Sequence, residues 1–114
     1  MLGNEFEIVG APFTDHAIIG EEQGGEPGEA DHVWWIDPID GTSNYLHGMP
    51  HFAISIALQV KGRTEHAIVY DPMRDELFTA SRGSGAALNQ KRIRVSARKS
   101  LEGAVLATAF PFRQ

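Results

Sequence analysis

Apolar and polar positions change their rhythm twice along this chain. Ala17-Ile18-Ile19 and Val33-Trp34-Trp35-Ile36 are continuous apolar runs, each closing on acids: Glu21-Glu22 after Gly20, and Asp37 and Asp40 after the second. Short apolar runs of this kind read as buried strands that deliver carboxylates to their ends. From Phe52 the rhythm becomes strict alternation. Phe52, Ile54, Ile56, Leu58 and Val60 share one face, with Ala53, Ser55, Ala57 and Gln59 on the other. That is a strand whose small-residue face expects a closely packed second layer. Lys61-Gly62-Arg63 then predicts a hairpin turn, Thr64 to Tyr70 a returning strand, Asp71 to Asp75 a second turn, and Glu76 to Ala80 a third strand.

The flanks are less regular. Glu5 to Val9 alternates like a short strand ended by Gly10-Ala11-Pro12, and Gln23 to Asp31 reads as an exposed, mobile loop. Tyr45 to Pro50 suggests a short helix closed by Gly48 and Pro50. Ser81 to Gly85 reads as flexible. Ala86 to Leu88 and Arg92 to Val95 flank Asn89-Gln90-Lys91 as a smaller hairpin, and Ala104 to Ala109 suggests one more strand before Phe110-Pro111-Phe112. The expectation is an antiparallel meander preceded by acid-rich loops, in an α+β or layered α/β setting.

Composition narrows the chemistry. The 114 residues fit one domain and contain no cysteine, which removes disulfides, thiolate zinc sites and cysteine nucleophiles. There is no long apolar span and no signal-peptide pattern, so a cytoplasmic protein without membrane association is expected. The net charge of −5 is unevenly spread: Met1 to Val60 carries ten acids and no Lys or Arg, while Lys61 to Gln114 carries ten bases and five acids. Either the faces are simply solvated, or the front half needs cations nearby. The bases are scattered, with no aromatic-basic patch that would point to nucleic acid.

Asp37-Pro38-Ile39-Asp40-Gly41-Thr42-Ser43-Asn44 is where such cations fit. Pro38 fixes its own φ and biases Asp37 toward an extended conformation, so two carboxylates and an intervening carbonyl can face one way. These are hard oxygen donors suited to Mg²⁺, Mn²⁺ or Ca²⁺. The dipeptides alone favour a solvated Asx-type turn, but the apolar run before them reverses that, because acids leaving a core strand are costly unless something binds them. Gly41 permits close backbone approach, and Thr42 or Ser43 can cap the following helix, whose N-terminus attracts phosphate. A plain cap and an anion site use the same geometry. Glu21 and Glu22 add a potential further ligand. His16, His32, His47, His51 and His66 lack metal-like spacing, and Ser81-Arg82-Gly83 is a weak phosphate candidate.

Gly20-Glu21-Glu22, Trp35 to Asn44 and Pro50 to Ala57 together resemble the inositol monophosphatase family. The likeness continues through Val69-Tyr70-Asp71-Pro72, Glu76 to Ala80, Gly83 to Ala86, Leu88-Asn89 and Leu106 to Phe112, where it is most similar to the bacterial inositol-1-monophosphatases. The resemblance implies a piece of an αβαβα sandwich, with 1–114 a single partial domain, mainly its first sheet and metal loops, and 1–12 unassigned. It implies Mg²⁺-dependent, lithium-sensitive hydrolysis of a phosphate monoester, inositol 1-phosphate foremost, by in-line water attack. Fructose bisphosphate or a 3′-phosphonucleotide are the alternatives. Glu21, Asp37, the Ile39 carbonyl and Asp40 would ligate metal; Glu21 and Thr42 would serve the attacking water; Glu21, Ile39, Asp40, Gly41 and Thr42 would meet the substrate. The family's upstream Thr-x-x-Asp and late Trp-Asp motifs have no counterpart here, so a fragment is expected. Family members form homodimers, and bacterial ones are linked to transcription antitermination and rRNA maturation. A non-catalytic role with a transcription-machinery partner, or an inactive truncated product, therefore stands beside the enzyme.

Overall fold

In a computed structural model, which describes residues 15–20 and 28–108, seven strands form one sheet in which spatial order follows chain order. They are β1 (Ala17–Gly20), β2 (His32–Asp40), β3 (Ala53–Val60), β4 (Arg63–Asp71), β5 (Glu76–Ser81), β6 (Gly85–Leu88) and β7 (Lys91–Ile93). The short helix α1 (Thr42–Leu46) lies between β2 and β3. The expected meander is present from β2 to β7, where every pairing is antiparallel. β1 departs from it by running parallel to β2, with Gly20 opposite Ile36. Parallel neighbours such as these are not joined by a tight hairpin.

Turn chemistry explains the hairpins. Lys61 (φ 52°) and Gly62 (φ 80°) join β3 to β4 with both central residues left-handed, as the right-handed strand twist favours. Asn89 (φ 48°) and Gln90 (φ 69°) do the same between β6 and β7. The second turn is two residues instead of the expected Asn89-Gln90-Lys91, so Lys91 belongs to β7, which ends at Ile93 before Arg94 and Val95. The Asn89 side chain accepts from the Leu77 amide at 2.8 Å and donates to the Asp75 carbonyl at 3.2 Å, fastening this turn to the start of β5. At the β4–β5 turn, Asp71 Oδ1 accepts the Met73 and Arg74 amides, both at 3.1 Å, and its Oδ2 pairs with Arg74 at 2.9 Å.

One expectation is overturned. Ala104 to Thr108 is irregular, and Val105 is 97% exposed; the apolar pattern there finds no strand to pair with among the described residues. Residues of β3, expected beneath a second layer, are all only half-buried. Only Ile19, Val33 and Ile36 are buried apolar residues among those described, while Trp35 is 40% and Val69 42% exposed. The described sheet is one layer, and a sheet buries a face only against another layer. The expected strand over Glu5 to Val9, and most of the Gln23 to Asp31 loop, lie outside the described residues.

Candidate functional site

The site is assembled by an irregularity in β2. Asp37 pairs with Ser55 and Asp40 with Ala53, so three steps along β2 match two along β3. Residues three apart on a regular strand point to opposite faces. The extra residue of a bulge cancels that flip, and Asp37 and Asp40 emerge on one face, like Ser55 and Ala53 opposite them. Pro38 lies in the bulge, where its missing N–H costs little. Asp37 is half-buried and Asp40 exposed. The two ion pairs among the described residues join other groups, so neither aspartate has a cationic side chain in contact there.

Beyond the acids the backbone turns sharply. Gly41 has φ 95°, ψ 40° and precedes α1 as its N-cap without any side-chain capping bond. The expected cap by Thr42 or Ser43 is thus not formed. Thr42 starts the helix itself, and its hydroxyl instead donates backward to the Ile39 carbonyl at 3.0 Å. That contact uses one of the carbonyl's two lone pairs. A Cβ on Gly41 would meet the His51 carbonyl oxygen at 3.0 Å and Phe52 Cα at 3.3 Å. The turn therefore lies against the backbone that enters β3.

Asn44 maintains this approach by donating to the same His51 carbonyl at 2.8 Å, and Tyr45 packs edge-on against Phe52 with ring centroids 5.1 Å apart. His47 Nδ1 contacts the Ser43 carbonyl at 2.7 Å at the closing end of α1. Asn44 as a brace was not legible from residue order. Its partner is seven positions away, and only the Gly-Thr-Ser-Asn turn composition hinted that a side chain there bonds backbone.

Parallel pairing sends β1 and β2 out of the sheet toward the same end, with Gly20 level with Ile36. Glu21, next in the chain after Gly20, lies outside the described residues, as does Glu22. The described residues contain no cluster of three His, Asp or Glu side chains able to hold a metal. What they bring together is Asp37, Asp40 and the Ile39 carbonyl, all hard oxygen donors, beside the Gly41 turn. This donor set fits a divalent cation that retains waters and takes only a few protein oxygens. A trough of about 400 Å³ over Ile19, Trp35, Ala57, Ala67 and Val69 reaches Asp37. Elsewhere, His16 stacks on His32 with centroids 4.3 Å apart and accepts from Trp34 Nε1 at 2.9 Å, pinning the entry of β1 to β2. No helix among the described residues is long and apolar enough to cross a membrane.

Residues 5–114 match the model of the inositol monophosphatase family. Nus factor SuhB of Pseudomonas aeruginosa is 64% identical over 104 residues, which are 89% of this chain and 38% of that protein. An inositol monophosphatase structure from Thermotoga maritima superposes with a TM-score of 0.80 at 43% identity, covering 85% of this chain and 37% of that one. A Ca-bound inositol monophosphatase family protein from Staphylococcus aureus superposes with a TM-score of 0.71 at 32% identity, covering 79% and 36%. The chain thus spans about two-fifths of the length of the curated relative it matches.

Proposed function

The chain belongs to the inositol monophosphatase family, and from that premise we propose that it carries the metal- and phosphate-binding part of a Mg²⁺-dependent phosphomonoesterase whose substrate is inositol 1-phosphate. The observation that carries this reading is the bulge in β2, which turns Asp37 and Asp40 to one face beside the Ile39 carbonyl and the Gly41 turn. Glu21, Asp37, Asp40 and the Ile39 carbonyl would hold Mg²⁺, which when bound supplies charge neutralisation at the phosphoryl group and a lower pKa for the attacking water. The backbone amides of Gly41 and Thr42 would donate to the phosphate oxygens, favoured by their position at a helix start. Thr42 Oγ1, already oriented by its bond to the Ile39 carbonyl, and the Glu21 carboxylate position the water for in-line attack. The 114 residues act as one partial domain of a cytoplasmic homodimer in this reading.

The test is phosphate release from inositol 1-phosphate by the whole natural chain with and without Mg²⁺, with fructose 1,6-bisphosphate and a 3′-phosphonucleotide as competing substrates. Asp37→Asn should abolish the Mg²⁺-dependent release. Turnover that persists in Asp37→Asn, or that ignores Mg²⁺, sinks the proposal. A second reading rests on the Nus factor relative: a partner-binding role in transcription. Association with transcription complexes that survives Asp37→Asn, without any turnover in the parent chain, would favour it over the enzyme.

A further inference from the structure

At the other end of the sheet, Thr79, Ser81, Ser84, Gly85, Gln90 and Arg92 line a pocket of about 250 Å³. Strand register places Thr79, Ser81, Gly85 and Arg92 on the same face, because Ser81 pairs with Gly85, Thr79 with Ala87, and Ala87 with Arg92. Following the same register back across β4 and β3 leads to Ile36. This is the face opposite Asp37. Four strand spacings separate β2 from β6, or about 19 Å.

The arginines here differ. Arg82 is committed: it pairs with Glu65 at 3.2 Å and donates to the Thr64 carbonyl at 2.8 Å. Arg92 has neither an ion pair nor a hydrogen bond among the described residues, yet its guanidinium does not simply extend outward. It lies across Gly85, where a Cβ would come within 2.7 Å of Nη2 and 3.1 Å of Cζ. Glycine at that position (φ 75°) supplies both the turn out of Ser84 and the room for the guanidinium. Ser81 Oγ is held by His66 Nδ1 at 2.8 Å. The stretch from Leu77 to Leu101 contains six Lys or Arg and no acid, so no carboxylate within it competes for Arg92. An unpaired guanidinium fork in a pocket lined also by hydroxyl residues suits a phosphate oxyanion, which accepts two parallel N–H bonds from Arg and further bonds from Ser and Thr.

We propose that this β5–β7 pocket binds a phosphate group through Arg92, with the Thr79 and Ser84 hydroxyls as additional donors, independently of the carboxylate site on β2. The phosphate is that of a small free ion or of a ribonucleotide backbone, both of which present the same oxygens, and the two arms of the experiment tell them apart. The experiment titrates the whole natural chain, ¹⁵N-labelled and stripped of divalent metal with EDTA, with inorganic phosphate at constant ionic strength set by KCl. A second arm uses a tetraribonucleotide.

The expected result is a saturable shift of the Gly85 amide and Arg92 Nε resonances, retained in Asp37→Asn. Arg92→Gln weakens it by roughly tenfold or more, the loss of a charge-assisted bidentate contact. Arg92→Lys, which keeps the charge on a well-dispersed folded spectrum, retains part of the affinity. Gly85→Ala, which crowds Nη2, loses affinity as well. Tighter binding of the oligonucleotide at the same resonances assigns the phosphate to a nucleic-acid backbone; binding of inorganic phosphate alone assigns it to a small ion. Absence of a saturable shift with either probe, or a shift indifferent to Arg92→Gln, overturns the proposal.

Discussion

Gly41→Ala is the substitution that most directly probes how the turn is built. Two costs add. At φ 95° an alanine is left-handed, which is worth about 1–2 kcal/mol against glycine. Its Cβ would also stand 3.0 Å from the His51 carbonyl oxygen and 3.3 Å from Phe52 Cα, both backbone atoms leading into β3. His51 O is further held by Asn44 Nδ2 at 2.8 Å, so it cannot move away without breaking that bond. Overpacking of this kind costs roughly 1–3 kcal/mol more. Gly48 is the internal control: it too has positive φ (73°), but a Cβ there would meet nothing within 4 Å. Gly48→Ala should therefore lose only the conformational part, about 1–2 kcal/mol. Urea unfolding of the two variants in the whole natural chain reads the difference as a shift in midpoint. If the Gly41 amide receives phosphate, displacing it should also cut kcat on inositol 1-phosphate roughly a hundredfold, the scale of losing one such donor. Equal destabilisation by the two variants would refute the close backbone approach, and unaltered turnover in Gly41→Ala would refute the role given to its amide.

Asp71 should shape the acid limb of stability. The Arg74 hydrogen bond, aided by the Arg74 and Met73 amides and opposed by burial, holds its carboxyl below the ordinary range. A lowered folded value stabilises the fold above the unfolded carboxylate value of about 3.9 and is lost as pH falls below it. Asp71→Asn should thus flatten stability against pH in that acid window, and an unchanged pH profile would count against the pairing. Asn89→Ala removes two hydrogen bonds that fasten the β6–β7 turn to β5, and replaces a residue suited to φ 48°. A loss of about 1–3 kcal/mol by chemical denaturation is expected, with earlier amide exchange at Leu77, whose partner is deleted.

Much of this chain was legible locally. The period-two pattern of Phe52 to Val60, the turn expected at Lys61-Gly62-Arg63 (of which Arg63 already begins β4) and the Asp71 to Asp75 turn each carry their own instruction, because alternation and positive φ act over a few residues. Hydrophobic pattern failed where partners decide. Ala104 to Thr108 is as apolar as a strand but has none to pair with among the described residues, and backbone bonds, not side chains, make a strand. The direction of β1 was equally unreadable, since Ala17-Ile18-Ile19 has the same composition in either orientation. Thr42 does not cap because Gly41 occupies the N-cap position and Thr42 is already the first helical residue, its hydroxyl donating back to the Ile39 carbonyl.

The sequence by itself determined the chemistry of the candidate site: two acids, a proline, a glycine and a threonine in fixed order specify hard oxygen donors beside a turn. Pro38 allowed the two carboxylates and the carbonyl between them to face one way, but residue order alone could not fix that they do. A spacing of three on a strand puts Asp37 and Asp40 on opposite faces, and only the mismatch of three steps on β2 against two on β3 returns them to one. Register between strands is a tertiary quantity, set by which residues of β3 pair with β2, and it reaches across Ser55 and Ala53, which the motif does not contain. The same holds for Gly41, whose need for a bare Cα comes from His51 and Phe52, ten and eleven residues on. Residue order supplied the groups; strand pairing supplied their direction.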